Sequence, residues 1–261
     1  MNKSVLTGAS GGIGYELAKI FAEEGCNLVL VARSEDKLMK IKKQLERQYG
    51  ILIELIIKDL SVEDAAEDIY NILLRNNVDV DILVNNAGFG DFGDFAHADW
   101  NKQYSMIQVN IAALIHMTRL FLKPMVERGY GKILNLSSTA AFQLGPFMSI
   151  YYASKAFVLS FSESLSKELD GSGITVTALC PGPTQTGFVD AASLENSKLF
   201  KAIKVSNVED VAIFGYKALM NGKTVAIHGF TNKLLAFGVR LIPRSLVREI
   251  MYGLQKKVKK M

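Results

Sequence analysis

Tyr151 and Lys155 stand four residues apart in the run Tyr151-Tyr152-Ala153-Ser154-Lys155. On a helix, residues at that spacing share a face. An ammonium beside a phenol favours the phenolate and draws its pKa down from about 10 toward working pH. The pair therefore predicts an acid/base that can give a proton to a carbonyl oxygen or take one from an alcohol. Tyr152 is the poorer candidate, because Ala156 rather than a lysine lies four residues beyond it. The pattern is common by chance, so its weight depends on its company.

That company begins with Thr7-Gly8-Ala9-Ser10-Gly11-Gly12-Ile13-Gly14, which follows the first apolar segment. Glycines there permit a tight turn and let a pyrophosphate approach backbone N–H groups. A helix opening at this point turns its positive dipole end to the anion. Gly8, Ser10, Gly12, Ile13 and Gly14 are the candidate contacts, and their place in a βαβ pattern predicts a dinucleotide loop. The second apolar run ends in Val31-Ala32-Arg33-Ser34. An NAD site places a carboxylate near this point for the ribose hydroxyls. Ala32 stands there instead, so no acid repels a 2′-phosphate. Arg33 offers it a guanidinium, with Ser34 and Lys37 close by. The expectation is NADP(H) rather than NAD(H); the competing reading is that Arg33 is simply a solvated strand-end residue.

These groups need a scaffold, and the chain alternates apolar runs with amphipathic segments. Strands are predicted at Val5–Leu6, Leu28–Val31, Ile51–Ile57, Asp81–Val84, Lys132–Leu136, Ile174–Leu179 and Thr224–Ile227. Helices are predicted at Ile13–Glu24, Glu35–Gln48, Glu63–Asn76, Trp100–Arg128, Ser149–Leu169 and Val208–Met220. Continuous apolar strands between helices indicate a parallel sheet covered on both faces. Its ligand belongs at the carboxyl ends of the strands. The first strand has little lead-in, which predicts a weakly ordered start.

The 261 residues are 49% hydrophobic and 21% charged, with net charge +4. This is the balance of a globular α/β protein, and 261 residues fit one such domain. The lysine excess sits at the extreme C-terminus, at Lys256, Lys257, Lys259 and Lys260, which argues against a nucleic-acid-binding body. Cys26 and Cys180 are far apart and predict buried thiols in a reducing compartment. His97, His116 and His228 lack metal-ligand spacing, so no metal is expected. No secretory signal is read ahead of Gly8, and the late apolar stretch Leu234–Ile242 is too short to cross a bilayer. A cytoplasmic location is the expectation.

At Tyr151 the chain resembles the classical short-chain dehydrogenase/reductase family, over about Val5 to Asn232. Thr7-Gly8-x-x-x-Gly12-x-Gly14 looks like the family's cofactor loop. Asp59-Leu60 matches the position that contacts adenine, and Asn85-Asn86-Ala87-Gly88 matches the strand-four motif. Asn110 falls on the helix asparagine, Ser138 on the catalytic serine, and Tyr151 and Lys155 on the tyrosine and lysine. Pro181-Gly182, Thr184 and Thr186 stand where the family holds the nicotinamide carboxamide and phosphates. One departure is Gly11, at a loop position that is basic in some NADP-preferring members.

The resemblance implies a single doubly wound Rossmann-type α/β domain with about seven parallel strands, over residues 1–231. An apolar and basic extension, 232–261, would pack on it or on a partner subunit as an amphipathic helix. The implied activity is NADP(H)-dependent hydride transfer between nicotinamide and a carbonyl or secondary alcohol. Tyr151 would be the acid/base and Ser138 would polarise the oxygen. Lys155 would tune Tyr151 and hold the ribose, and Asn110 would hold a water of the proton path. Asn85 and Asn86 have a structural reading as well, satisfying backbone groups between strands.

Phe89, Phe92, Phe95, Phe142 and Phe147 predict an apolar small-molecule substrate, with core packing as the other explanation. The segment Gly187–Val205 lies where the family has a mobile lid. A homodimer or homotetramer is expected. Two alternatives stay open: an NADP(H)-binding sensor without turnover, and a membrane-peripheral reductase of lipid-like substrates recruited through the basic C-terminal segment.

Overall fold

The computed structural model describes residues 3–188 and 205–255. Seven strands form one parallel sheet in the order β3-β2-β1-β4-β5-β6-β7. They are β1 (Lys3–Thr7), β2 (Asn27–Ala32), β3 (Ile53–Ile57), β4 (Ile82–Asn85), β5 (Gly131–Leu136), β6 (Ile174–Cys180) and β7 (Val225–Ile227). Side chains alternate between the faces, so adjacent residues feed different cores. Leu6, Leu30, Val84 and Leu134 pack under α1 (Gly12–Glu23), α2 (Glu35–Tyr49) and α7 (Val208–Met220), against Leu17, Phe21, Leu38 and Leu219. Val5, Val31, Leu83 and Ile133 pack on the other face under α3 (Ala65–Arg75), α5 (Leu114–Arg128) and α6 (Ser149–Glu168), against Ile69, Leu73, Phe121 and Leu165. Burial on both sides is why the strands read as unbroken apolar runs.

The expected weak start is not what the structure shows. β1 runs from Lys3 to Thr7 between β2 and β4, and Val5 and Leu6 have no exposed surface. Two partners outweigh the short lead-in, and the Lys3 amide donates to the Asp81 carboxylate at 3.0 Å.

The segment expected as one helix from Trp100 to Arg128 is continuous but not uniform. α4 (Trp100–Ile107) passes into a π-helical stretch, Gln108–Ala113, and then into α5. It is long and apolar enough to cross a membrane, with 29 residues and a mean hydropathy of 1.3 over its most apolar part. Here it is a core helix, with Met117, Phe121 and Met125 buried against the sheet.

The C-terminal extension forms two helices, where one was expected. α8 (Phe230–Gly238) leads through a 3-10 turn at Val239–Leu241 to α9 (Arg244–Gln255). Pro243 separates them, since proline suits a helix start better than its interior. Of the expected lid, residues 189–204 lie outside the described residues. The strand order reverses between β1 and β4, and a crevice opens there beyond the carboxyl ends of the strands.

Candidate active site and nucleotide cleft

A cleft of about 770 Å³ runs along this edge, from Gly8 and Ser10 at one end to Ser138, Tyr151 and Lys155 at the other. The glycine loop is held open by hydrogen bonds from strand four. Thr7 Oγ1 accepts from the backbone amides of Asn86 and Ala87, both at 3.0 Å, and donates to Val84 O at 3.3 Å. The Asn86 side-chain amide donates to Thr7 O at 2.9 Å and Gly8 O at 3.2 Å. Asn85 donates to Asn135 Oδ1 at 2.9 Å and Thr118 Oγ1 at 3.0 Å, tying β4 to β5 and α5.

Asn86, expected as a cofactor contact, thus spends its side-chain donor on the loop itself, although the residue lines the cleft with Ala87 and Gly88. Gly14 is not part of the lining. A Cβ there would stand 2.4 Å from Asn86 Nδ2 and 2.5 Å from Gly8 O, so this glycine permits packing behind the loop. Gly8 turns the chain at φ +66°, a left-handed conformation that disfavours side chains.

The loop fits an anionic dinucleotide. No side chain caps α1 at Gly11, and its first turn carries no acid. The first amides of a helix lack intrahelical partners, and here they open on the cleft. Ser10, Gly12 and Ile13 line it beside them. Thr186 closes the turn from the far side; a Cβ on Gly12 would come within 3.2 Å of it. Pro181, Gly182 and Thr184 complete this wall.

Arg33, Ser34, Lys37, Asp59 and Leu60 line the far end, together with Lys58, which the sequence reading passed over. One expectation needs correcting here. The absence of an acid on β2 does not leave Arg33 without one, because the Asp59 carboxylate lies 3.7 Å from its guanidinium. Partial burial opposes ionisation of Asp59, but Ser61 hydrogen bonds and Arg33 outweigh it and hold the carboxyl below its usual pKa. The Arg33 side chain is 76% exposed, so the pair is loose and open to competition from a phosphate.

At the reacting end, two adjacent serines divide the work. Ser137 Oγ donates to Lys155 O at 2.9 Å and fixes α6 to the end of β5. Ser138 lines the cleft, accepts from the Ala140 amide at 3.1 Å and lowers the pKa of the neighbouring Tyr151 phenol. Lys155 Nζ donates to Leu136 O at 2.8 Å and lies 5.8 Å from the centre of the Tyr151 ring.

The expected depression of the Tyr151 pKa is absent from this state of the protein. Burial pushes the phenol up to about 12, with Ser138 pulling weakly the other way. Burial also lowers Lys155 to about 8. The lysine faces the Leu136 carbonyl, and desolvation outweighs its charge at the phenol. Tyr151 is therefore held protonated at neutral pH, the form a proton donor needs.

Asn110 sits in the π-helical stretch and does not line the cleft. Its Oδ1 accepts from the Phe89 amide at 3.1 Å, and its Nδ2 donates to Phe89 O at 2.9 Å and Ser154 Oγ at 3.1 Å. Ser154 Oγ in turn donates to Tyr151 O at 2.7 Å. Asn110 thus braces the loop after β4 against the tyrosine-bearing helix. A π turn of this kind displaces the i+4 pairing of a helix interior. Ser154, a mid-helix serine one place before Lys155, was the available sign of this brace.

Among the expected aromatics, Phe89 lines the cleft. Phe92 and Phe147 pack behind it, Phe95 lies on the surface, and Phe142 joins a separate core with Leu159 and Cys180. Phe188 was missed; its ring centre is 5.1 Å from that of Tyr151. Met148 and Gln143 also line this end. Loop residues of this kind carry no periodicity that would single them out.

Known proteins can now be compared with this arrangement. Residues 2–197 match the family model for short chain dehydrogenases. The chain belongs to the short-chain dehydrogenase family. It is 37% identical to 17-beta-hydroxysteroid dehydrogenase type 3 of Mus musculus over 180 residues, 68% of this chain and 58% of that protein. It is 32% identical to ketoacyl reductase HetN of Nostoc sp. over 258 residues, 94% of this chain and 86% of that one. The chain thus spans less than two thirds of the mouse enzyme. Among solved structures, a short-chain dehydrogenase from Sphingobium yanoikuyae in complex with NADPH superposes with a TM-score of 0.83. It is 29% identical, and the match covers 100% of this chain and 99% of that one. The bulky-bulky ketone specific alcohol dehydrogenase of Comamonas testosteroni gives 0.78 at 27% identity, over 95% of this chain and 94% of that one. The parallel sheet and the crevice at its strand ends are thus the family's fold.

Proposed function

We propose that this dehydrogenase is an NADP(H)-dependent oxidoreductase that interconverts a ketone or aldehyde with the corresponding alcohol, using Tyr151 as acid/base. The observation that carries the reading is the joint placement of Ser138, Tyr151 and Lys155 in the cleft that begins at the uncapped N-terminus of α1. The NADPH bound in the Sphingobium protein supports the cofactor class.

The nicotinamide would supply or accept the hydride. Ser10, Gly12 and Ile13 would receive its pyrophosphate at the helix N-terminus, and Arg33, with Lys37 and Lys58 near it, the 2′-phosphate. In reduction, Ser138 holds the substrate oxygen by a hydrogen bond and Tyr151 gives it a proton. In oxidation, Tyr151 takes that proton back. Lys155 brings its ammonium toward the ribose and steadies the charge left on the phenol. Phe89, Met148 and Phe188 give the reacting end an apolar wall, which suits a substrate with a hydrophobic body.

The test is titration of NADPH and NADH into the purified protein at one salt concentration, followed by a panel of apolar ketones. Expected are NADPH binding at least about tenfold tighter, about 1.4 kcal/mol, and reduction of some of the panel. NADPH binding with no turnover of any carbonyl or alcohol would favour a cofactor sensor instead.

A further inference from the structure

The C-terminal helices carry a surface that the reaction does not use. On α8 and the turn after it, Phe230, Leu234, Phe237 and Leu241 recur at helical spacing, and all are exposed, Phe230 by 82% and Leu241 by 73%. Leu246 and Ile250 continue this apolar surface on α9. A soluble monomer rarely leaves so many large apolar side chains together in water.

Charge says what the surface fits. Residues 230–255 hold four Lys and Arg and one acidic residue, and the sequence beyond them, 256–261, has four lysines and no acid. The remainder of the chain is therefore net acidic. Lys233 and Arg240 belong to the same stretch, and their cations lie over the Phe214 and Phe142 rings. Arg244 and Arg248 are exposed on α9. A second copy placed symmetrically on this face would set cations against cations. An anionic bilayer satisfies both features, taking the apolar side chains among its acyl chains and the cations at its headgroups.

We propose that the α8–α9 face is a docking surface for anionic lipid membranes. The opposite side of α9 gives the proposal its consequence. Val247 and Met251 pack against Phe147, Met148 and Tyr152, and Gln255 Nε2 donates to Tyr152 Oη at 2.6 Å. That tether seats α9 behind the wall of the reacting end. Docked, the protein holds this wall about one helix diameter, ~10 Å, from the lipid, which suits uptake of a lipid-soluble carbonyl or alcohol. The docking itself does not depend on the assignment of cofactor or acid.

The experiment is co-sedimentation of the full chain with phosphatidylcholine vesicles, with and without phosphatidylglycerol. Two double variants accompany it, Leu234→Glu with Phe237→Glu, and Arg244→Glu with Arg248→Glu. All four side chains are exposed, so circular dichroism and NADPH binding should match the parent. Expected is binding to the anionic vesicles that weakens with salt and falls roughly tenfold or more in each variant. The proposal is overturned if the full chain ignores anionic vesicles at low salt, or if both variants bind as the parent does. It is equally overturned if the apolar variant dissociates a dimer in analytical ultracentrifugation while vesicle binding is unchanged, because the face then belongs to a second copy.

Discussion

The two ends of the cleft use polar groups in opposite ways. At the dinucleotide end they are spent on one another: Thr7 and Asn86 make five hydrogen bonds that lock the glycine loop to β4. At the reacting end, Lys155 is buried and Tyr151 partly so, with few partners, and both pKa values move toward the neutral form, Tyr151 up and Lys155 down. Hydrogen bonds hold a backbone shape at one end, while desolvation holds reactive groups in a protonation state at the other. Mutations at the first end should therefore disturb stability and binding together. Mutations of Ser138 or Tyr151 at the second should disturb turnover alone.

Apart from Tyr151 itself, the largest separation is expected from Ser138→Ala. Removing a donor to the substrate oxygen costs about 10²-fold in turnover, about 2.7 kcal/mol, with NADPH affinity unchanged in a parallel titration. Weakened cofactor binding in that variant would blur the two ends. Gly14→Ala tests the other end. Its Cβ would meet Asn86 Nδ2 at 2.4 Å, and overpacking of this kind costs about 2 kcal/mol. Urea denaturation should show the loss, and NADPH and NADH affinity should fall together. Arg33→Ala should weaken NADPH about tenfold, about 1.4 kcal/mol, and leave NADH nearly unaffected; equal losses would assign Arg33 to its ion pair with Asp59 alone.

The most gradual effect is a pH dependence. Lys155 has a folded pKa of about 8 against 10.5 for an ordinary lysine. Its proton is lost in the folded chain before the unfolded one. Its contribution to stability therefore rises between about pH 8 and 10.5 and is lost as pH falls through 8. Denaturation across this window should show a rise of up to about 1 kcal/mol per pH unit from this group, absent in Lys155→Met. An unchanged slope in that variant would mean that burial of the ammonium is not what sets its pKa.

Much of this was legible in the residues, because chemistry at fixed spacing survives without coordinates. The Tyr151–Lys155 pair, the glycine loop and the alternation of strands and helices all follow from local pattern. What was not legible depended on neighbours far along the chain. The two partners that order β1 lie about 25 and 80 residues away. The Asp59 partner of Arg33 comes from the loop after the next strand. The π turn around Asn110 leaves the apolar periodicity almost intact, so pattern alone reads one plain helix. The upward shift of the Tyr151 pKa is hidden for the same reason: spacing gives the nearest charge, but burial is a property of the whole fold.

The central claim rests on Tyr151, and the most direct measurement compares the parent with Tyr151→Phe. NADPH dissociation constants and rates of ketone reduction should be taken on the same preparations. The account predicts a dissociation constant within about threefold of the parent, with a rate lower by roughly 10³-fold or more. A rate within tenfold of the parent would contradict it and remove Tyr151 from the proton transfer.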